Sequence, residues 1–128
     1  MFSFFFSVNQ KVRITLSLIY LGIIIVLSLM PAEDVPQISL FEGVDKLVHF
    51  CMYMGFTWLI CWSLHSEYKP YINYSIIIFA IGWGILMEVF QLIMHLGRAF
   101  EWLDVLANSS GTLTGALIYN LMVNRKKT

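Results

Sequence analysis

Three short sets of ionisable and hydrogen-bonding residues stand inside otherwise apolar stretches of this chain. Asp45, His49 and Tyr53 recur every fourth residue; Glu88, Gln91 and His95 follow a three-then-four spacing; Asp104, Asn108, Gly111 and Gly115 are spaced four, three and four. On a helix, residues three and four apart are surface neighbours, so each set forms one stripe. A carboxylate and a histidine together make a general acid–base pair, which marks Glu88 and His49 as the candidate catalytic residues. Lys46 and Arg98 bring cations able to hold a phosphate or another anionic head group. Asp45 and Asp104 flank them and can orient them, while Tyr53, Gln91 and Asn108 add neutral hydrogen-bonding groups. An ionisable residue within a membrane span is costly and is a functional-site hypothesis by default.

Other chemistry finds less support. His49, Glu88 and Asp104 offer nitrogen and oxygen ligands, but no paired spacing such as HExxH is present, so neither a metal nor another cofactor is expected. Ser109 and Ser110 lack a nucleophile elbow. Cys51 and Cys61 lie in one apolar run, too far apart along a single helix for a disulfide. The net charge is zero, with 8 basic and 8 acidic residues. There is no basic patch with interleaved aromatics, so nucleic acid is not an expected partner.

The elements that must position these residues follow from composition. The 128 residues, one domain in length, are 59% hydrophobic and 12% charged. Soluble domains carry about 25% charged residues, so lipid is the natural solvent here. Crossing the hydrocarbon takes about 20 apolar residues. Four stretches qualify: Val12 to Met30 (ended by Pro31), Asp45 to Leu64, Tyr71 to Leu96, and Trp102 to Val123. The expected fold is an all-α bundle of four transmembrane helices. The first span follows Lys11 and Arg13, but it is long and lacks an A-x-A site, so it reads as a span rather than a cleaved signal peptide. Lys11, Arg13, Lys69, Arg125, Lys126 and Lys127 fall on one side, and by the positive-inside rule that side is cytoplasmic, giving N-in and C-in. Glu33, Asp34, Glu42 and Glu101 make the other side acidic.

Depth then gathers the stripes. At about 1.5 Å per residue, His49 lies about 6 Å and Tyr53 about 12 Å below the outer end of the second span. Counted from Leu96 in the same way, Gln91 lies about 7 Å and Glu88 about 12 Å deep, while Asn108 is about 9 Å deep in the fourth span. Three helices thus bring polar groups to one outer layer, where they must face each other. The first span has no comparable stripe and is expected to be a support. Ala107, Gly111 and Gly115 form a small-xxx-small ladder suited to close helix packing in lipid.

These residues resemble the VanZ-like family. The run Asp45-Lys46-Leu47-Val48-His49-Phe50, with Tyr53 after it, is similar to that family's first signature. The second is matched by Glu88-x-x-Gln91, Gly97-Arg98 and Asp104-x-x-x-Asn108-x-x-Gly111-x-x-x-Gly115. The resemblance covers residues 45–119 of a single domain and departs at Met94-His95-Leu96-Gly97, where family members often carry a proline. It implies a multi-pass membrane protein of the cell envelope, related to one linked to resistance against the glycopeptide teicoplanin. It does not imply a settled reaction. Three readings therefore stand side by side. The first is binding of a lipid-linked or anionic head group at an extracytoplasmic face, with a membrane lipid, a cell-wall precursor or a glycopeptide as partner. The second is an enzyme modifying such a substrate through Glu88 and His49. The third is a set of purely structural ties. Transport through so few helices would require a homo-oligomer.

Overall fold

The computed structural model describes residues 2–36, 40–65 and 72–126. Lys69, Tyr71 and Lys127 lie outside the described residues, as does most of the expected second loop. Among the described residues the chain is all-α: α1 (Phe2–Ser7), α2 (Gln10–Ser28), α3 (Val44–Ser63), α4 (Ile72–Ile93) and α5 (Trp102–Lys126). The four long helices correspond to the four expected spans. The short α1 was not expected; it packs Phe5 against Trp58 and Trp62 and accepts the Trp62 Nε1–H on the Phe5 carbonyl at 2.8 Å.

Local chemistry sets the helix ends. Asn9 caps α2 by accepting from the Lys11 backbone N–H at 2.9 Å, one of the donors a helix start leaves unsatisfied. α2 stops at Ser28, shortly before Pro31. Gly43, at φ +85°, turns the chain into α3. α4 ends at Ile93 rather than Leu96, because His95 (φ +51°) and Gly97 (φ +72°) enter the left-handed region that closes helices. His95 therefore leaves the Glu88–Gln91 stripe and is exposed.

The interior mixes apolar residues such as Ile24, Phe56 and Ala80 with an unusual share of polar ones, and the outside is apolar. Buried positions include Arg13, Ser17, His49, Thr57, Glu88, Gln91, Asp104, Asn108 and Thr112, whereas Ile19, Val26, Ile78, Leu92, Leu106, Leu113 and Leu117 are exposed. A water-soluble bundle has the reverse pattern, because exposed contiguous apolar surface is unfavourable in water. Two helices, Gln10–Ser28 and Asn73–Ile93, are long and apolar enough to cross a membrane. α3 and α5 are as long, but they carry much of the polar interior, which lowers their average hydropathy.

α3 sits at the centre, against α2, α4 and α5, and its interface with α5 is the most extensive. Glycines explain that closeness. A Cβ at Gly111 would collide with the Phe50 carbonyl oxygen, and one at Gly115 with that of Met54. The ladder is thus a backbone-to-backbone contact surface. On the other side of α3, Tyr20 donates to the Met52 carbonyl at 3.1 Å, and Ser17 to the Leu59 carbonyl at 3.1 Å. Arg13 donates to the Trp62 carbonyl at 2.5 Å and lies 5.9 Å from the Trp62 ring. α2 therefore does carry a polar face, directed at the α3 backbone, and Arg13 is buried rather than a solvated flank.

Candidate functional site

The α3–α5 contact fixes the site. With Gly111 against Phe50, the preceding turns of the two helices bring His49 to Asn108. Their Nδ1 and Oδ1 lie 3.1 Å apart. Gly84, one turn before Glu88 on α4, completes the approach: a Cβ there would sit 3.2 Å from Asn108 Nδ2 and 3.2 Å from the Tyr53 ring. Three helices thus meet around His49, Tyr53, Glu88, Asp104 and Asn108, all of them buried. The Glu88 side chain is 1% exposed, although it lies only about 7.5 Å of helical rise below the end of α4.

His49 was expected to pair with Glu88, but its hydrogen bond goes to Asn108. Its Nε2 lies 4.0 Å from Asp104 Oδ2. Glu88 remains a neighbour, with ligand atoms of His49, Glu88 and Asp104 all within 4.8 Å of one another. Glu88 Oε2 and Tyr53 Oη are buried and, among the described residues, without hydrogen-bond partners.

The two cations have different settings from those expected. Lys46 does not reach out for an external anion. Its ammonium lies 2.7 Å from Asp45 Oδ2, 2.5 Å from Glu101 Oε2 and 2.6 Å from Asp104 Oδ1. The Asp104 contact is an ion-pair approach rather than a directed hydrogen bond. Asp104 also lies in the first turn of α5, where a carboxylate is stabilised by the positive end of the helix dipole.

Arg98 donates to the Leu27 and Ser28 carbonyls, each at 3.3 Å, and Gln91 Nε2 donates to the Ser28 carbonyl at 2.8 Å. Both side chains satisfy carbonyls at the end of α2, which have no partner within their own helix. The backbone N–H of Ala32 joins them there, donating to the Leu96 carbonyl at 2.9 Å. Every expected site residue therefore lies at this one end. His49, Tyr53, Glu88, Asp104 and Asn108 form the buried centre. Lys46 and Asp45 form an acidic rim with Glu101, and Gln91 and Arg98 clamp α2. Glu101 in this role was not anticipated, since its place before α5 reads simply as loop.

A second polar group at the opposite end escaped the sequence reading. Arg13 reaches the end of α3, the Tyr119 hydroxyl hydrogen-bonds His65 Nδ1, and Asn73 donates to Asn120 at 2.6 Å. Arg13 lies in a region read only for its charge, so no pattern announced its burial.

Neither the curated proteins nor the solved structures include a match to the chain. The VanZ/LLP1 family model does match, over residues 1–123. That stretch includes all four long helices up to the last turn of α5, together with every residue of the buried centre, its acidic rim and the α2 clamp. The apolar exterior and this match agree on a membrane protein, and the chain belongs to the VanZ/LLP1 family.

Proposed function

We propose that this protein is a multi-pass membrane protein of the cell envelope that binds the polar head group of a lipid-linked or anionic component. Its four long helices span the bilayer with both termini cytoplasmic, and the His49–Glu88–Asp104 end faces outward. One observation carries the binding role: Tyr53 Oη and Glu88 Oε2 are buried without partners among the described residues. A network that only ties helices together is expected to satisfy its members, because an unpaired buried polar group costs about 1–3 kcal/mol. A ligand's polar groups would supply the missing partners, with an anionic moiety drawn toward Arg98 where it donates to the Leu27 and Ser28 carbonyls.

The test is lipid capture by the full chain in detergent, read by native mass spectrometry. Wild type is expected to retain an anionic or lipid-linked species. Tyr53→Phe should weaken that retention while leaving thermal stability equal or higher, since it removes an unpaired hydroxyl. Equal retention by wild type, Tyr53→Phe and Arg98→Gln would leave only structural ties. For the cellular role, cells lacking the protein should differ from complemented cells in sensitivity to teicoplanin or other envelope-active agents. Identical sensitivity would remove that part of the proposal.

The proximity of His49 and Glu88, within 4.8 Å, favours a second reading as an enzyme modifying a lipid or cell-wall precursor. Wild type would then change a precursor's mass profile in cells, and Glu88→Gln would not.

A further inference from the structure

The carboxylates at the outer end divide into two groups with different electrostatic settings. Asp45 and Glu101 are exposed and share the Lys46 ammonium with Asp104. That rim already holds its cation as part of the chain. The inner group is His49, Glu88 and Asp104, all buried. It offers two carboxylates and an imidazole, and the one nearby ammonium is divided among three carboxylates. Arg98 is engaged with the Leu27 and Ser28 carbonyls. Four carboxylates thus face a single ion-pairing cation among the described residues. Buried charges are paired or coordinate metals, because an isolated ion in low dielectric is very costly.

We infer that His49, Glu88 and Asp104 form a binding site for one divalent transition-metal cation. Three independent features point there. First, the ligand atoms lie within 4.8 Å of one another. Ligands bonded to Zn2+ at about 2.0–2.2 Å in tetrahedral geometry are separated by about 3.3–3.5 Å, so rotamer adjustments close the set. Second, Glu88 Oε2 has no partner among the described residues, on a residue 1% exposed whose carboxylate belongs to this cluster. Third, His49 is held as metal-binding histidines are. An amide oxygen only accepts, so the 3.1 Å contact with Asn108 Oδ1 engages Nδ1 and turns Nε2 toward Asp104, 4.0 Å away. A second hydrogen bond of this kind fixes the tautomer and ring orientation of a ligating histidine. One nitrogen and two carboxylate ligands suit Zn2+ or Mn2+ better than Mg2+ or Ca2+, whose preferred ligands are all oxygen. The ligands come from three helices, so no short motif in the sequence marks them.

The site shares the unpaired Glu88 Oε2 with the head-group reading, and the test separates the two because it uses the metal alone and no lipid ligand. The full-length protein, purified in detergent and stripped with chelator, would be dialysed against micromolar Zn2+ or Mn2+. Bound metal would then be counted by elemental mass spectrometry. The expected result is one ion per chain, with retention falling at least tenfold in Glu88→Gln and His49→Gln and unchanged in Asp34→Asn, a carboxylate in the first loop. No retained metal in the wild type overturns the inference, and so does equal retention by the Glu88 and His49 variants. Should those variants lose their helical fold, the Co2+ form of the wild type decides. A hyperfine-shifted, slowly exchanging imidazole N–H from His49, protected by Asn108, supports the site. Its absence overturns the inference.

Discussion

His49 and Asn108 join α3 to α5 through one buried hydrogen bond, 3.1 Å from Nδ1 to Oδ1, and that bond aims the opposite edge of the imidazole at Asp104. Removing either partner strands the other. Asn108→Ala should destabilise the protein by about 1–3 kcal/mol, the cost of an unpaired buried polar group. The double variant with His49→Ala should cost less than the sum of the two singles, because neither orphan then remains. Reversible unfolding in mixed detergent micelles measures the cycle, and additive losses would mean the bond carries no coupling energy.

Gly111 and Gly115 differ from Gly82 in what a methyl group would meet. At the first two it collides with the backbone carbonyls of Phe50 and Met54, which have no flexible end to move aside; at Gly82 nothing lies within 4 Å. Gly111→Ala and Gly115→Ala should each lower stability by about 1–3 kcal/mol or more, as overpacking does. Gly82→Ala should be neutral or stabilising, by up to about 1 kcal/mol of helix propensity. The same unfolding assay compares all three, and equal effects would show that α3 and α5 are not in backbone contact there.

These two contacts also explain how much could be read without coordinates. The four long helices are legible because length, apolarity and breakers such as Pro31 are local properties, and their ends agree to within three residues wherever both are described. The gathering of these side chains is legible too, since counting rise along each helix puts His49, Glu88 and Asn108 in one layer. Pairing within the layer is not, because it depends on how each helix is rotated. Gly111 against Phe50 sets that rotation for α5, and it gives His49 to Asn108 instead of Glu88. Arg98 is harder still. It follows a loop shaped by positive φ at His95 and Gly97, and only that path brings a cation to the carbonyls of Leu27 and Ser28. Arg13 looked like a flanking charge because its burial depends on α2 packing along the far end of α3.

Lys46 lies between two exposed carboxylates and one buried one, so its pairs differ in weight. Asp45 and Glu101 have side chains 59% and 52% exposed, whereas Asp104 is at 8%. Exposed ion pairs contribute about 0–1 kcal/mol. Leaving a buried charge uncompensated costs about 3–5 kcal/mol in a fully buried pair, and less here because Lys46 is partly open to solvent. Lys46→Met should therefore destabilise by about 2–3 kcal/mol, by analogy with that range. Asp45→Asn should cost under about 1 kcal/mol. Lys46→Met combined with Asp104→Asn should recover much of the loss. A similar cost for Lys46→Met and Asp45→Asn would place the energetic weight on the exposed rim instead.

Orientation in the membrane decides which compartment the site meets. Lys11, Arg125 and Lys126 lie toward the end of the bundle opposite Glu88, and Lys127 follows in the sequence. The cations at the Glu88 end are compensated locally, Lys46 by three carboxylates and Arg98 by backbone carbonyls. In the proposed orientation the terminal end, with Lys11 and Arg125, is the end that the positive-inside rule assigns to the cytoplasm. A green fluorescent protein fused at the C-terminus should fluoresce, and alkaline phosphatase fused there should be inactive. Phosphatase inserted in the first loop near Asp34, or in the loop after Gly97, should be active. The reverse pattern would put Glu88, His49 and Asp104 at the cytoplasmic face, within reach of cytosolic metal and cytosolic head groups, and would exclude an extracytoplasmic ligand.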